Sequence, residues 1–122
     1  MDIPDFTFVT LPDWHQKIFA RLLEMDFPGR ESIRDQLLNA SYTIIDENGS
    51  LKIRVNDKAI GALLERTIPV QAYGFDKDKT PIELLLFTNL GFPYMLEILR
   101  ADGKKITNLP KPEHFEILTL TK

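Results

Sequence analysis

The sequence predicts an α+β fold in which two N-terminal helices pack on one face of an antiparallel sheet of about five strands. Three observations lead to this fold class. Apolar residues recur every three or four positions before residue 40 and alternate with polar residues after it, and short turn signals separate the later apolar segments. Short connections favour antiparallel neighbours over crossovers. The 122 residues are close to the commonest domain size, so residues 1–122 are expected to form a single domain.

The two helices are predicted on either side of a Pro-Gly corner. The first begins at the segment Thr10-Leu11-Pro12-Asp13, where Thr10 is the expected N-cap. Its apolar positions recur at helical spacing: Trp14, Ile18, Leu22 and Met25. It should end near Asp26, because the residue before Pro28 is disfavoured in helical conformation. The second helix is expected over residues 29–39, with its apolar residues on one face.

A β-hairpin is expected next. Tyr42-Thr43-Ile44-Ile45 is rich in strand formers, and an Asn-Gly pair follows it within the turn at residues 46–50. Leu51–Val55 then alternates apolar and basic residues, as a half-buried strand does. Further strands are predicted at residues 67–75, 81–88 and 93–100, with a last edge strand in the tail after residue 114. Residues 57–66 fit either one or two turns of helix, which Gly61 would interrupt.

Composition narrows the class of protein. The chain has no cysteine, which excludes disulfides, thiolate nucleophiles and zinc–sulfur sites and suits a reducing compartment. The N-terminus is acidic and shows no basic segment leading into an apolar run, so no signal peptide is predicted. The longest apolar runs are far shorter than a bilayer span. We therefore expect a cytoplasmic protein without a membrane partner.

Charge is distributed unevenly along the chain. Residues 1–49 contain nine acidic and four basic residues, a net charge of −5, whereas residues 50–122 contain nine acidic and eleven basic residues, a net charge of +2. Five acidic residues are predicted to contact a partner: Asp26, Glu31, Asp35, Asp46 and Glu47. If they share one edge, they form a negative patch suited to a cationic groove. The alternative is a solvated surface of mixed charge.

Several short motifs resemble a known family. They are Phe27-Pro28-Gly29, Ile33-Arg34-x-Gln36-Leu37, Asp46-Glu47-x-Gly49-x-Leu51 and Leu99-Arg100-Ala101-Asp102-Gly103. Together they are similar to a family of small bacterial proteins of unknown function, over about residues 20–106. The resemblance brings no catalytic residues. It implies a small cytoplasmic bacterial α+β protein, similar in type to the immunity proteins that neutralise polymorphic or contact-dependent toxins.

The candidate catalytic and metal-binding residues are few. His15 and His114 stand alone in the first helix and in the tail, and no nucleophile elbow, zinc-binding His pair or phosphate-binding glycine loop is present. Asp76-x-Asp78 has a spacing that metals use, but Lys77 and Lys79 oppose a cation, so we interpret it as a solvated turn. The sequence predicts no enzymatic activity, no cofactor and no metal site.

Direct nucleic-acid binding is also not predicted. The basic set is modest and the sequence pI is about 5.3. That set comprises Lys52, Arg54, Lys104 and Lys105.

Three functional hypotheses remain open. The first is an immunity protein that occludes the active site of a toxin domain, with a basic nuclease as the favoured partner because nucleases bind phosphates. The second is a small-molecule-binding or enzymatic domain with a pocket between the sheet and the helices, using Arg30, Arg34, Tyr42 or His114. The third is a homodimer that pairs through an exposed strand edge. The Phe27-Pro28-Gly29-Arg30 corner is interpreted as a hinge between helices rather than an anion site.

Overall fold

The two predicted helices are present. A computed structural model describes residues 11–56, 61–64 and 66–119, and it places helix α1 at Asp13–Leu22 and helix α2 at Arg30–Leu38. The N-cap of α1 is Pro12, without a side-chain cap, so the N-cap prediction was wrong; Thr10 itself lies outside the described residues. Among the described residues, no helix has the length and apolar character needed to cross a bilayer.

The described residues form a sheet of six strands, and every neighbouring pair is antiparallel. The strands are β1 (Ser41–Ile44), β2 (Leu51–Arg54), β3 (Gln71–Phe75), β4 (Pro81–Asn89), β5 (Phe92–Arg100) and β6 (Glu116–Leu118). Their order across the sheet is β1-β2-β5-β4-β3-β6. The predicted α+β class is therefore confirmed, with one strand more than the approximate count. The segment 61–64 has no regular structure, and residues 57–60 and 65 lie outside the described residues.

Both helices pack on the same face of this sheet. Alternate residues of each central strand are fully buried, as Leu84 and Leu86 are in β4 and Leu96 and Ile98 are in β5. The apolar sides of α1 and α2 join these residues in one core, to which α1 contributes Ile18, Phe19 and Leu22 and α2 contributes Ile33 and Leu37. On the opposite face, the residues between the buried ones are half-buried or exposed, which is the pattern of a sheet covered on one side.

A glycine makes the turn between the helices. Gly29 has a φ of +87°, a conformation that a residue with a Cβ rarely adopts, and a Cβ there would meet the side chain of Leu64 at 2.6 Å. The backbone N–H of Arg30 donates to the carbonyl of Phe27, and Arg30 also donates from its guanidinium to Met25. The predicted hinge is therefore a hydrogen-bonded corner whose Phe27 side chain lies in the core.

Helix α1 also holds the C-terminal tail. The indole of Trp14 donates to the carbonyl of Pro110 at 2.8 Å, and Arg21 donates to the carbonyls of Pro112 and Phe115. A short 3-10 helix at Pro112–His114 lies between these contacts and β6. The anchored tail places β6 beside β3, and β6 thereby becomes an edge strand of the sheet.

Candidate binding surfaces

The five acidic residues predicted to bind a partner are all exposed, but they form two groups. Asp26, Glu31 and Asp35 surround the corner that follows the C-terminal end of α1. Asp46 and Glu47 lie in the β1–β2 turn. That turn lies beside the N-terminal part of α1, because His15 donates from Nε2 to the carbonyl of Gly49 at 2.7 Å. The first group therefore follows the C-terminal end of α1, and the second lies beside its N-terminal part.

The five carboxylates differ in their local partners. Glu31 pairs with Arg30 at 3.1 Å and lies 3.8 Å from Arg34. The carboxylates of Asp26 and Asp35 make no ion pair within the described part of the chain. Glu31 and Asp35 lie one turn apart on the exposed side of α2.

The carboxylates of the hairpin turn have local roles. Oδ1 of Asp46 accepts hydrogen bonds from the backbone N–H groups of Asn48 and Ser50, both at 3.0 Å, so this side chain shapes its own turn. Glu47 lies 3.9 Å from Lys105, and both side chains are largely exposed, so this pair is weak. Asp46 therefore stabilises its own turn in addition to placing a charge at the surface.

An open cleft of about 780 Å³ lies at one end of the sheet and was not predicted. It forms where β2 and β5 diverge, because within the described residues these strands pair only at Leu51–Leu96 and Lys52–Met95. The cleft is lined by Ile53, Arg54, Val55, Thr67, Phe87, Thr88, Asn89, Leu90, Phe92, Pro93 and Tyr94. The sequence could not reveal it, since its lining comes from segments up to about forty residues apart.

The residues proposed for a pocket between sheet and helices do not meet in one described cleft. Tyr42 donates its hydroxyl to the carbonyl of Leu37 and packs its ring on Phe19, and burial raises its pKa well above the ordinary value. Arg30 and Arg34 lie on α2 beside Glu31. His114 is exposed and lines a separate shallow cleft together with Arg21 and Glu24.

His15 is buried rather than free at the surface. It is 6% exposed, it donates from Nε2 to Gly49, and its Nδ1 has no hydrogen-bond partner. Its ring packs edge-on against Trp14. Burial lowers the pKa of His15, and the hydrogen bond to Gly49 opposes that shift to a smaller extent. Within the described ranges, no group of three or more His, Cys, Asp or Glu side chains could hold a metal ion.

The Asp76-x-Asp78 motif is only partly the solvated turn that the sequence predicts. Asp78 is about half exposed, but the side chain of Asp76 is completely buried and lies 2.8 Å from the guanidinium of Arg100. Arg100 also pairs with Asp78 and with Asp102. An arginine thus occupies the place between these carboxylates, and the sequence interpretation missed it because Arg100 lies 24 residues from Asp76.

Comparison with known proteins yields no relative. No family model matches the chain, and neither a curated protein nor a solved structure matches it significantly. The similarity to a bacterial family over about residues 20–106 therefore stays a prediction.

Proposed function

We propose that this protein is an immunity protein: a binding protein without catalytic activity that occludes the active site of a bacterial toxin domain, with a basic nuclease as its partner. The observation that carries the proposal is the pair of exposed carboxylates, Asp26 and Asp35, which flank the helix corner and make no ion pair within the described residues. Nucleases need cationic grooves to bind phosphates, so such carboxylates complement them. Unpaired surface charges also steer association more effectively than charges already neutralised by neighbours.

The corner offers these charges on a rigid support. The ring of Phe27 is 6% exposed, Gly29 packs closely against Leu64, and the N–H of Ile33 donates to the carbonyl of Gly29. A surface that is already ordered loses little conformational entropy on binding, which favours affinity. The corner therefore suits a protein that must block a groove without rearranging.

The hairpin turn supports the proposal to a lesser degree. Glu47 adds an exposed negative charge near the opposite end of α1, and Asp46 holds the turn in shape. If both ends of α1 contact the toxin, the interface spans the ten residues of this helix, roughly 15 Å. Asp46 is a poor site for a charge test, because replacing it would also disturb the turn.

The test is protection of a sensitive host. Candidate toxin domains from genes adjacent to this one are expressed with or without this protein, and survival and binding are measured. We expect protection and a stable complex. The double variant Asp26→Asn/Asp35→Asn should slow association about tenfold at low salt, with a smaller effect at high salt.

A charge-matched control separates the corner from net charge. Glu83→Gln with Glu97→Gln removes two negative charges from the face of the sheet that the helices leave uncovered. This variant should associate at nearly the wild-type rate. Absence of protection and of binding by the wild-type protein would overturn the proposal. Equal slowing of association by both variants would show that the corner has no special role in binding.

A further inference from the structure

We propose that the cleft at the end of the sheet is a binding site for a small amphipathic anion, an aromatic or other apolar group that carries a carboxylate or sulfonate. The acidic side chains of the helix corner do not line this site, and none of the described residues that line it is acidic. Ligand binding in the cleft can therefore be tested without the toxin partner.

The size and shape of the cleft suit a small molecule. Its volume of about 780 Å³ falls within the range of small-molecule sites, about 300–1,000 Å³. One wall is the end of β2, and the other is the β4–β5 hairpin, where a register shift between Phe87 and Thr88 bends the paired strands. Because both walls belong to the sheet, the cleft does not depend on a rearrangement to form.

Most of the lining is apolar and aromatic. The contributing side chains are Ile53, Val55, Phe87, Leu90, Phe92, Pro93 and Tyr94. The rings of Phe87 and Tyr94 lie 6.1 Å apart at an angle of 47°. Flat rings on a cleft wall favour a flat apolar ligand, since they can stack on it or meet it edge-on.

The charge of the lining residues favours a negatively charged ligand. Arg54 is the one charged residue among the described residues that line the cleft; it is exposed, and its guanidinium makes no ion pair or hydrogen bond with the described residues. A guanidinium binds carboxylates and sulfonates with charge-assisted, often bidentate hydrogen bonds. Asn89 is also exposed at the cleft and can donate from its amide.

The hairpin tip adds a second reason to regard the cleft as a site. Leu90 has a φ of +53° and is 87% exposed, in the two-residue loop Leu90-Gly91. That position favours Asn, Asp or Gly, so a leucine there costs conformational energy and also exposes apolar surface. Leu90 lines the cleft, where a bound apolar group would cover it.

The test uses two dyes that differ in charge. The anionic probe is 8-anilino-1-naphthalenesulfonate, and the neutral probe is N-phenyl-1-naphthylamine, which has a similar aromatic body. Fluorescence titration should give one saturable site for the anionic dye. NMR titration should place it through shifts at Thr67, Asn89 and Tyr94, with little change at the α1–α2 corner.

Variants assign the charge selectivity to Arg54. Arg54→Gln should weaken the anionic dye about tenfold or more and leave the neutral dye within about twofold. Lys52→Gln is the matched control, because Lys52 lies two residues earlier on the same strand face and does not line the cleft. It should leave both dyes unchanged. Circular dichroism and melting curves show that each variant is folded.

Two outcomes would overturn the proposal. One is an affinity for the anionic dye that Arg54→Gln does not change, because the cleft would then be apolar surface without selectivity for anions. The other is binding of the anionic dye at several equivalent sites, or NMR shifts confined to residues outside the cleft.

Discussion

The carboxylate of Asp76 and the guanidinium of Arg100 form a buried ion pair at 2.8 Å, with side-chain exposures of 0% and 8%. The two oxygens of Asp76 also accept hydrogen bonds from the backbone of Lys77, Thr107 and Asn108 and from the hydroxyl of Thr107. Asp76 therefore joins the end of β3 both to the end of β5 and to the segment after it. Burial alone would raise the pKa of Asp76, but the hydrogen bonds from Thr107, Arg100 and Lys77 hold it well below its ordinary value.

Replacing Asp76 by Asn should destabilise the fold strongly. An amide keeps one acceptor oxygen but turns an NH2 group toward N–H donors, and it leaves Arg100 without its most buried counter-charge. We expect the melting temperature to fall by about 10 °C or more. Amide exchange at residues 104–108 should accelerate.

Asp78→Asn is the control for Asp76→Asn, because the side chain of Asp78 is 54% exposed and water can replace its lost contacts. Its melting temperature should change by a few degrees at most. Equal effects of the two replacements would show that burial of Asp76 is not what stabilises this corner.

Stability should fall as pH drops below about 6.5, because His15 is buried. Its folded-state pKa is lowered by burial, so the unfolded chain binds a proton more readily than the folded one. Stability is therefore full above the unfolded pKa near 6.5 and falls as pH drops below it. The pKa of Asp102 falls to about 2 through its hydrogen bonds with Arg100 and Lys104, so this carboxylate does not titrate near that pH.

Replacing His15 by Gln should remove this pH dependence. The Gln amide can donate to the carbonyl of Gly49 from the position of Nε2, and it does not titrate. Denaturant unfolding of both proteins at pH 5.5 and 7.5 measures the difference. A wild-type stability that is equal at the two pH values, or a slope that the variant retains, would contradict the assignment to His15.

Two glycines with similar backbone conformation should respond differently to alanine. Gly91 and Gly103 have φ values of +84° and +78°, so both replacements carry the strain of the left-handed region, about 1 kcal/mol. A Cβ at Gly91 would also collide with the backbone oxygen and nitrogen of Ala62, whereas a Cβ at Gly103 meets nothing within 4 Å. The variant Gly91→Ala should therefore lose about 2 kcal/mol more than Gly103→Ala. Similar losses would mean that segment 61–64 does not approach the hairpin as described.

Leu90→Asn should stabilise the fold and weaken ligand binding in the cleft. Asn tolerates positive φ at the first loop position and exposes no apolar surface, so we expect a gain of about 0.5–1 kcal/mol. Binding of the neutral dye should weaken, because Leu90 lines the cleft. Leu63→Asn is the control: Leu63 is equally exposed, at 88%, but its φ is not positive, so its stability should change little. A destabilised Leu90→Asn variant would contradict the strain argument.

The local elements of this protein could be predicted because their signals are short-range. The helical spacing from Trp14 to Leu22 gave α1, and the Asn-Gly pair with the alternation at Leu51–Val55 gave the β1–β2 hairpin. The Pro28-Gly29 corner follows from the fixed φ of proline and the freedom of glycine. The five acidic residues predicted to contact a partner are exposed, and their role in binding stays a prediction. Whether they bind a toxin is a prediction that the structure leaves to experiment.

The sequence by itself therefore determined the α+β class, the two helices and the hairpin, because each depends on residues within one or two turns of the chain. Only the tertiary structure decided the strand order, the pairing of β6 with β3, the burial of Asp76 against Arg100 and the cleft beside Arg54. Each of these brings together residues far apart in sequence. Such contacts follow from how the core packs, and hydrophobic burial is non-directional, so a residue pattern specifies which side faces inward but not which distant segment it meets.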